Sequence, residues 1–268
     1  MAASTASRLS PPRFRAPSPF PHPPIRRSRF SPVRAAKLEA VLSIGTHLIP
    51  HPRKAASGGE DAFFANSDAG GVFAIADGVS GWAEKDVNPA LFSRELMRNS
   101  SNFLNDEEVC RDPQILLMKA HAATSSIGSA TVIIAMLEKT GTLKIASVGD
   151  CGLKVIRKDK LRGSGSNISG CIDGLFDNIF DQEIVSIISE SPGVHEAAKA
   201  LAELARKHSV DVTFDSPYSM EARSGKMDDI TVVVAQVNTV VVPEDEGGDT
   251  EEQKGNEQGA AAVVASAE

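Results

Sequence analysis

Four acidic motifs recur in this chain of 268 residues at the ends of apolar, strand-like runs: Gly59-Glu60-Asp61, Ala76-Asp77-Gly78, Ile172-Asp173-Gly174 and Met227-Asp228-Asp229. A fold that gathers distant carboxylates at the mouths of strands raises the energy of each one unless a cation sits among them. The pattern therefore points to one shared site for hard divalent metal ions. The approach to Asp173 differs from the others, because Asn167-Ile168-Ser169-Gly170-Cys171-Ile172 is not an apolar strand.

The two ends of the chain do not read as part of that fold. Residues 1–38 hold seven arginines, six serines and eight prolines, and no acid precedes Glu39. An Arg-rich, Ser-rich, acid-poor amino terminus predicts an organelle transit peptide, with a disordered basic tail as the bland alternative. The Ser/Pro richness favours a chloroplast address (stroma or thylakoid-associated), with a mitochondrion as the alternative. At the other end, Pro243 to Glu268 carries eight acids against one lysine, and residues 239–268 are expected to form an acidic disordered tail. Between the ends, 39–238 is expected to be one folded domain.

An acidic body argues against a nucleic-acid partner. No run of about 20 apolar residues is present, so no membrane-spanning helix is expected. Cys110, Cys151 and Cys171 are odd in number and form no Cys-x-x-Cys pair. They predict small, buried, reduced residues rather than a disulfide framework or a zinc site. Cys151 to Arg157 does satisfy Cys-x5-Arg, the core of cysteine-dependent phosphatases. The apolar, β-branched residues between them predict a strand, not the amide cradle which that chemistry needs.

Coarse patterning gives an order of strands, helices, hairpin strands, helices and a strand. Residues 39–49 and 71–76 read as strands. Asn88-Pro89 and Asp112-Pro113 each cap a helix. Thr131 to Leu137 and Leu143 to Val148 form a hairpin about Lys139-Thr140-Gly141, and Leu153 to Ile156 continues that sheet. A helix near Asp181 to Ser189 and another from Val194 to His208 follow, with Ser191-Pro192 as a cap for the second. Ile230 to Val237 is a last β-branched strand. Segregated strands and helices predict an α+β fold with antiparallel sheet. Taken singly, Asp77-Gly78 reads as a turn, Asp177-Asn178 as a helix cap and Trp82 as a packing residue.

Taken together, the motifs carry more. Gly59-Glu60-Asp61-Ala62-Phe63-Phe64, Ala76-Asp77-Gly78-Val79-Ser80-Gly81-Trp82, Ser147-Val148-Gly149-Asp150, Asp173-Gly174-Leu175-Phe176-Asp177-Asn178 and Gly225-Lys226-Met227-Asp228-Asp229 occur in that order. The series resembles the metal-dependent serine/threonine phosphatases of the type 2C family, in particular its plastid and mitochondrial branch. The resemblance implies an α-β-β-α sandwich of two antiparallel sheets flanked by helices. It also implies two magnesium or manganese ions per active site. Asp77 would bridge them and the activated water. Glu60 and the Gly78 carbonyl would serve one ion, and Asp173 and Asp228 the other. Asp61 and Asp150 would support the site or hold a third ion. The activity implied is hydrolysis of phosphoserine and phosphothreonine in plastid phosphoproteins, including thylakoid membrane proteins, by a monomer.

Three departures from the family pattern stand out. Ala56 takes the place of an arginine that many members carry four residues before the metal-binding glutamate, which leaves Arg53 or Lys54 to contact phosphate. Val79 takes the place of a histidine. The chain also looks shortened, near 162–172 and near 223–225, so that part of a sheet is expected to be missing. The alternative to an active phosphatase is therefore a catalytically impaired short form that binds partners or does not fold stably.

Overall fold

The computed structural model describes residues 36–156, 174–218 and 225–243 and the strand 261–265. Its longest ladder pairs β1 (Ala36–Ile49) with β7 (Ile230–Pro243) in antiparallel register, from Ala36↔Pro243 to Ile49↔Ile230. β1 begins three residues before the expected domain start, and β7 continues past Val237 into the expected tail. The sheet is completed by β8 (Ala261–Ala265) and β6 (Leu153–Val155) in the order β1-β7-β8-β6. The second sheet has the order β2-β3-β4-β5, with β2 Asp61–Asn66, β3 Val72–Gly78, β4 Ala130–Leu137 and β5 Leu143–Val148.

Strand alternation sorts the side chains into three apolar layers. Phe73 and Ile75 of β3 meet Ala40 and Leu42 of β1 and Val233 and Ala235 of β7 between the sheets. Val72, Ala74 and Ala76 of β3 point the other way, onto α1 (Pro89–Asn102) and α2 (Pro113–Ala123). Ile230, Val232 and Val234 of β7 pack on α3 (Asp181–Glu190) and α4 (Val194–Val210). The architecture is thus α+β, an α-β-β-α sandwich.

Local signals start the first two helices as expected. Asn88 Oδ1 accepts from the Ala90 amide at 3.1 Å, and Asp112 Oδ1 accepts from the Gln114 amide at 2.8 Å. Four expectations differ. β6 leaves the hairpin's sheet for the other one, because among the described residues it pairs with β8 alone. Gly193, not Ser191-Pro192, stands at the N-cap of α4 and supplies no side-chain cap. Cys110 is exposed, in a left-handed turn with φ 46°, and its thiol donates to the Glu107 carbonyl at 2.8 Å. Residues 261–265 of the expected disordered tail form a strand. Cys171 lies outside the described residues.

Gly45 of β1 sets how closely α4 approaches the sheet. A Cβ there would stand 2.3 Å from the Val194 carbonyl carbon and oxygen and 2.5 Å from the His195 amide nitrogen. Backbone atoms cannot rotate aside as a flexible side chain can. Gly45→Ala is expected to destabilise the fold by about 3 kcal/mol, lowering Tm by roughly 6–12 °C. A thermal melt that moves by less than two degrees would show that α4 can slide without loss.

Candidate active site

The two ladders bring the acidic motifs to one end of the sandwich. β2 pairs with β3 so that Asp61 stands directly opposite Asp77, and Asp77 in turn stands opposite Thr131 of β4. Asp61 and Asp77 share parity with Phe63, Phe73 and Ile75, so both lie on the face that looks between the sheets. Thr231 of β7 shares the parity of Val233 and Ala235 and closes the gap from the other sheet. Its hydroxyl donates to Asp61 Oδ2 at 2.5 Å. Like charges opposite one another on neighbouring strands repel, so local pairing alone does not explain this arrangement.

The β1–β7 ladder ends at Ile49↔Ile230, which sets the loop after β1 beside Asp228 and Asp229. The Lys54 ammonium lies among these acids, 2.6 Å from Glu60 Oε2, 3.5 Å from Asp228 Oδ1 and 3.8 Å from Asp229 Oδ2. The Ser80 hydroxyl also donates to Glu60 Oε2. Gly78 follows Asp77 in β3, and its amide donates to the Glu60 carbonyl at 3.2 Å.

Charge is unevenly compensated here. Burial raises the pKa of Asp77, and the neighbouring Asp61 and Asp228 charges push it further up. Burial likewise raises Asp61, against the Thr231 hydrogen bond that stabilises its ionised form. Asp61 Oδ1 is buried without a hydrogen-bond donor. Burial pulls the Lys54 ammonium towards deprotonation, yet the Glu60 hydrogen bond and the Asp228 and Asp229 charges raise its pKa overall. One ammonium serves several carboxylates, and the two facing aspartates hold protons beyond the ordinary carboxylate range. Among the described residues, no three carboxylate, imidazole or thiol side chains converge tightly enough to hold one metal ion. Lys54 occupies the space between the acids.

Other expected site residues fall elsewhere. Asp150 is exposed in the bend after β5. Among the described residues it has no hydrogen bond or ion pair with the cluster. Arg53 is exposed, and its amide donates to His51 Nδ1 at 3.0 Å. Asp173 lies outside the described residues, as does Arg157. Cys151 is buried against the inter-sheet core, with its thiol donating to Thr131 Oγ1 at 3.1 Å. Trp82 donates to Ser129 Oγ at 2.8 Å, and Lys85 lies over its ring.

Several residues that position the acids are given no site role by the sequence motifs. Asp229 accepts from the His51 amide at 2.6 Å and the Glu60 amide at 2.7 Å. Ser93 of α1 donates to the Glu60 carbonyl at 2.5 Å. Arg94 of α1 holds the loop before Glu60 through the carbonyls of Ser57 and Gly59. Arg206 of α4 reaches the carbonyls of Pro50 at 2.7 Å and Asp228 at 3.2 Å. Asn178 is not a cap for α3, whose N-cap is Phe180. Its amide nitrogen donates to the Gly174 and Lys226 carbonyls, and its oxygen accepts from the Lys226 amide. It thereby ties the third acidic motif to the fourth. An Asn directly after an acidic motif is the one signal of this role that the sequence offers. A cleft of about 490 Å³ opens beside Asp61, and Arg94 and Arg98 are among its lining residues.

No family model matches the chain. Curated relatives do match it. The chain is 65% identical over 321 aligned positions to Probable protein phosphatase 2C 1 of Oryza sativa subsp. japonica, covering 100% of this chain and 97% of that protein. The chain belongs to the protein phosphatase 2C family. These are protein-serine/threonine phosphatases. The type 2C member Probable protein phosphatase 2C 26 of Arabidopsis thaliana is 45% identical over 260 positions, with 77% of this chain and 87% of that protein covered. Among solved structures, the X-ray structure of the photosystem II phosphatase PBCP is similar at 64% identity and a TM-score of 0.66. It covers 72% of this chain and 98% of that one. The 321 positions aligned with the rice phosphatase 2C exceed the 268 residues of this chain by 53, so this type 2C chain lacks segments that the relative carries.

Proposed function

We propose that this chain is a metal-dependent phosphatase that removes phosphate from phosphoserine and phosphothreonine in chloroplast proteins, with thylakoid phosphoproteins as its substrates. One observation carries the reading: Asp61 and Asp77 face each other at the mouth between the sheets, beside Glu60, Asp228 and too little positive charge. A carboxylate oxygen buried without a donor, acids pushed towards protonation and an ammonium drawn in among them are what a cation site leaves when only protein atoms fill it. The donors are carboxylate and carbonyl oxygens, which suit magnesium or manganese.

In this reading Asp77, Glu60, the Gly78 carbonyl, Asp228 and Asp173 would together hold the two ions, with Asp77 common to both. Bound there, the ions would supply a water of lowered pKa and offset charge on the phosphoryl oxygens. The protein's own part is placement. Asp229 and Ser93 fix the backbone of Glu60, Arg206 fixes that of Asp228, and Asp61 supports Asp77. Lys54 is the residue placed to release the acids and meet the substrate phosphate; Arg53 would assist from the exposed side. The chloroplast assignment rests on residues 1–38 as a transit peptide, and on the similarity to a photosystem II phosphatase.

The 53 missing positions favour a second reading, a short form with impaired turnover. Hydrolysis of p-nitrophenyl phosphate and of a phosphothreonine peptide by the full chain, with Mn²⁺ and with EDTA, separates the two. Mn²⁺-dependent turnover is expected. Saturating Mn²⁺ is also expected to raise Tm by roughly 5–10 °C, the shift for about 2.7 kcal/mol at a hundredfold excess over Kd. A Tm shift without turnover would favour the impaired form. Neither effect would sink the metal site.

A further inference from the structure

One strand of the first sheet comes from the far end of the chain. β8 lies between β7 and β6 and pairs antiparallel with both. The β7 register runs Val233↔Ala265 to Val237↔Ala261, and the β6 register runs Leu153↔Ala265 to Val155↔Val263. β6 has no other strand partner among the described residues. We infer that Ala261–Ala265 is a built-in strand donor, which fills a slot between β7 and β6 that accepts an extended peptide of small apolar residues.

Three observations carry this. First, Val233, Val234 and Ala235 of β7 are fully buried with β8 in place. An unpaired buried N–H or C=O is costly, and an open strand edge recruits whatever extended chain can pair with it. Second, the slot is one strand wide. Without β8, β6 and β7 would stand roughly 9.6 Å apart, twice the inter-strand spacing, with no hydrogen bond between them. Third, the tail matches the slot in composition and reach. Ala260 to Ala265 is an unbroken run of alanine and valine without proline, in a segment otherwise rich in acids and glycine. Seventeen residues, 244–260, connect Pro243 to β8. Fully extended they span up to about 60 Å, while Val237 to Pro243 occupies only about 20 Å of strand. A segment of that length is therefore long enough to bring Ala261 back alongside Val237. The chain is 53 positions shorter than its alignment with the rice relative, and its own C-terminal segment supplies pairing to a sheet that would otherwise end at β7. The inference does not depend on the metal site or on turnover.

Amide hydrogen exchange on the full chain tests it. Successive amides of an interior strand point to opposite neighbours, so Val263→Pro and Val264→Pro remove bonds to β7 and β6 respectively or in reverse. Gln258→Pro, in the connecting segment, is the control. In the native chain, residues 261–265 and 153–155 are expected to exchange about a hundredfold more slowly than an unstructured peptide. Both strand prolines are expected to abolish protection at 153–155 and to weaken it at 233–237, with the control unchanged. Free-peptide exchange at 261–265 in the native chain would overturn the inference, and that measurement stands even if a proline variant unfolds. Protection at 153–155 that survives both prolines would also overturn it. So would protection that appears only at concentrations where the chain is dimeric, since the strand would then come from a second copy.

Discussion

Asp77→Asn is expected to lower Mn²⁺-dependent turnover by on the order of 10³-fold while the domain stays folded. Charge stabilisation by paired ions supplies several kcal/mol to a phosphoryl transfer, and about 4 kcal/mol corresponds to three decades of rate. An amide of the same shape keeps the packing against Thr131 but cannot bridge two cations. The stability effect has the opposite sign. Asp61 and Asp77 have raised pKa values in the fold: burial is the first cause for both, Asp61 and Asp228 push Asp77 further up, and Asp229 and Asp228 push Asp61 up. The folded chain therefore holds more protons than the unfolded one from the ordinary carboxylate range upwards, and its stability without metal falls as pH rises through that window. Removing one of the two acids flattens that fall. In EDTA at pH 8 the variant is expected to melt at or above the wild type. With Mn²⁺ the order reverses, because only the wild type gains the full binding energy. Turnover within tenfold of wild type would refute the bridging role. A variant less stable in EDTA would refute the electrostatic account of the site.

Asp229→Ala is expected to destabilise the fold by about 3–5 kcal/mol, the largest single-residue stability effect foreseen here. Asp229 is only 2% exposed, and its two oxygens accept from the amides of His51 and Glu60. Truncation leaves both N–H groups without an acceptor, one of them buried, and each such loss costs about 1–3 kcal/mol. The chain approaches Asp229 closely at Gly59, where φ is +82° and a Cβ would stand 2.7 Å from Asp229 Oδ1. No side chain from that loop can move in to replace the lost carboxylate. Asp229→Asn keeps one acceptor oxygen and is expected to lose roughly half as much. Urea denaturation of the two variants measures this. A loss below 1 kcal/mol for alanine would mean that water reaches both amides. Turnover should fall in both variants, because Glu60 loses the contact that orders its backbone.

Much of the fold and part of the site are legible in the sequence. Asn88-Pro89 and Asp112-Pro113 announce their helices through side-chain acceptors a few residues from the amides they cap. The β4–β5 hairpin is visible because two β-branched runs flank a turn. The acids Glu60, Asp61, Asp77 and Asp228 stand out because each lies at the end of an apolar, strand-like run. Sequence patterns mislead where the determining contact is remote. Asn178 resembles a cap, since a cap is what an asparagine before a helix does locally. Its partners at Lys226 lie 48 residues away. Leu153–Val155 resembles the continuation of a hairpin, since nothing local reveals a partner strand more than a hundred residues later. The Ala/Val run of β8 is too short and too weakly patterned to outweigh the acids around it.

The sequence by itself determined most of the strand and helix segments, which carboxylates end the strands and which family the motifs resemble. Those properties depend on periods of two and 3.6 residues and on caps within one turn. Tertiary structure alone decided that Asp61 faces Asp77, that Lys54 rather than Arg53 enters the acid cluster, that Asp229 serves backbone amides, and that the C-terminal segment joins the sheet. These follow from register between strand residues as many as 207 positions apart, set by burial of the layers between and outside the sheets. A shift of one residue in either ladder would turn the carboxylates to the opposite face and dissolve the site.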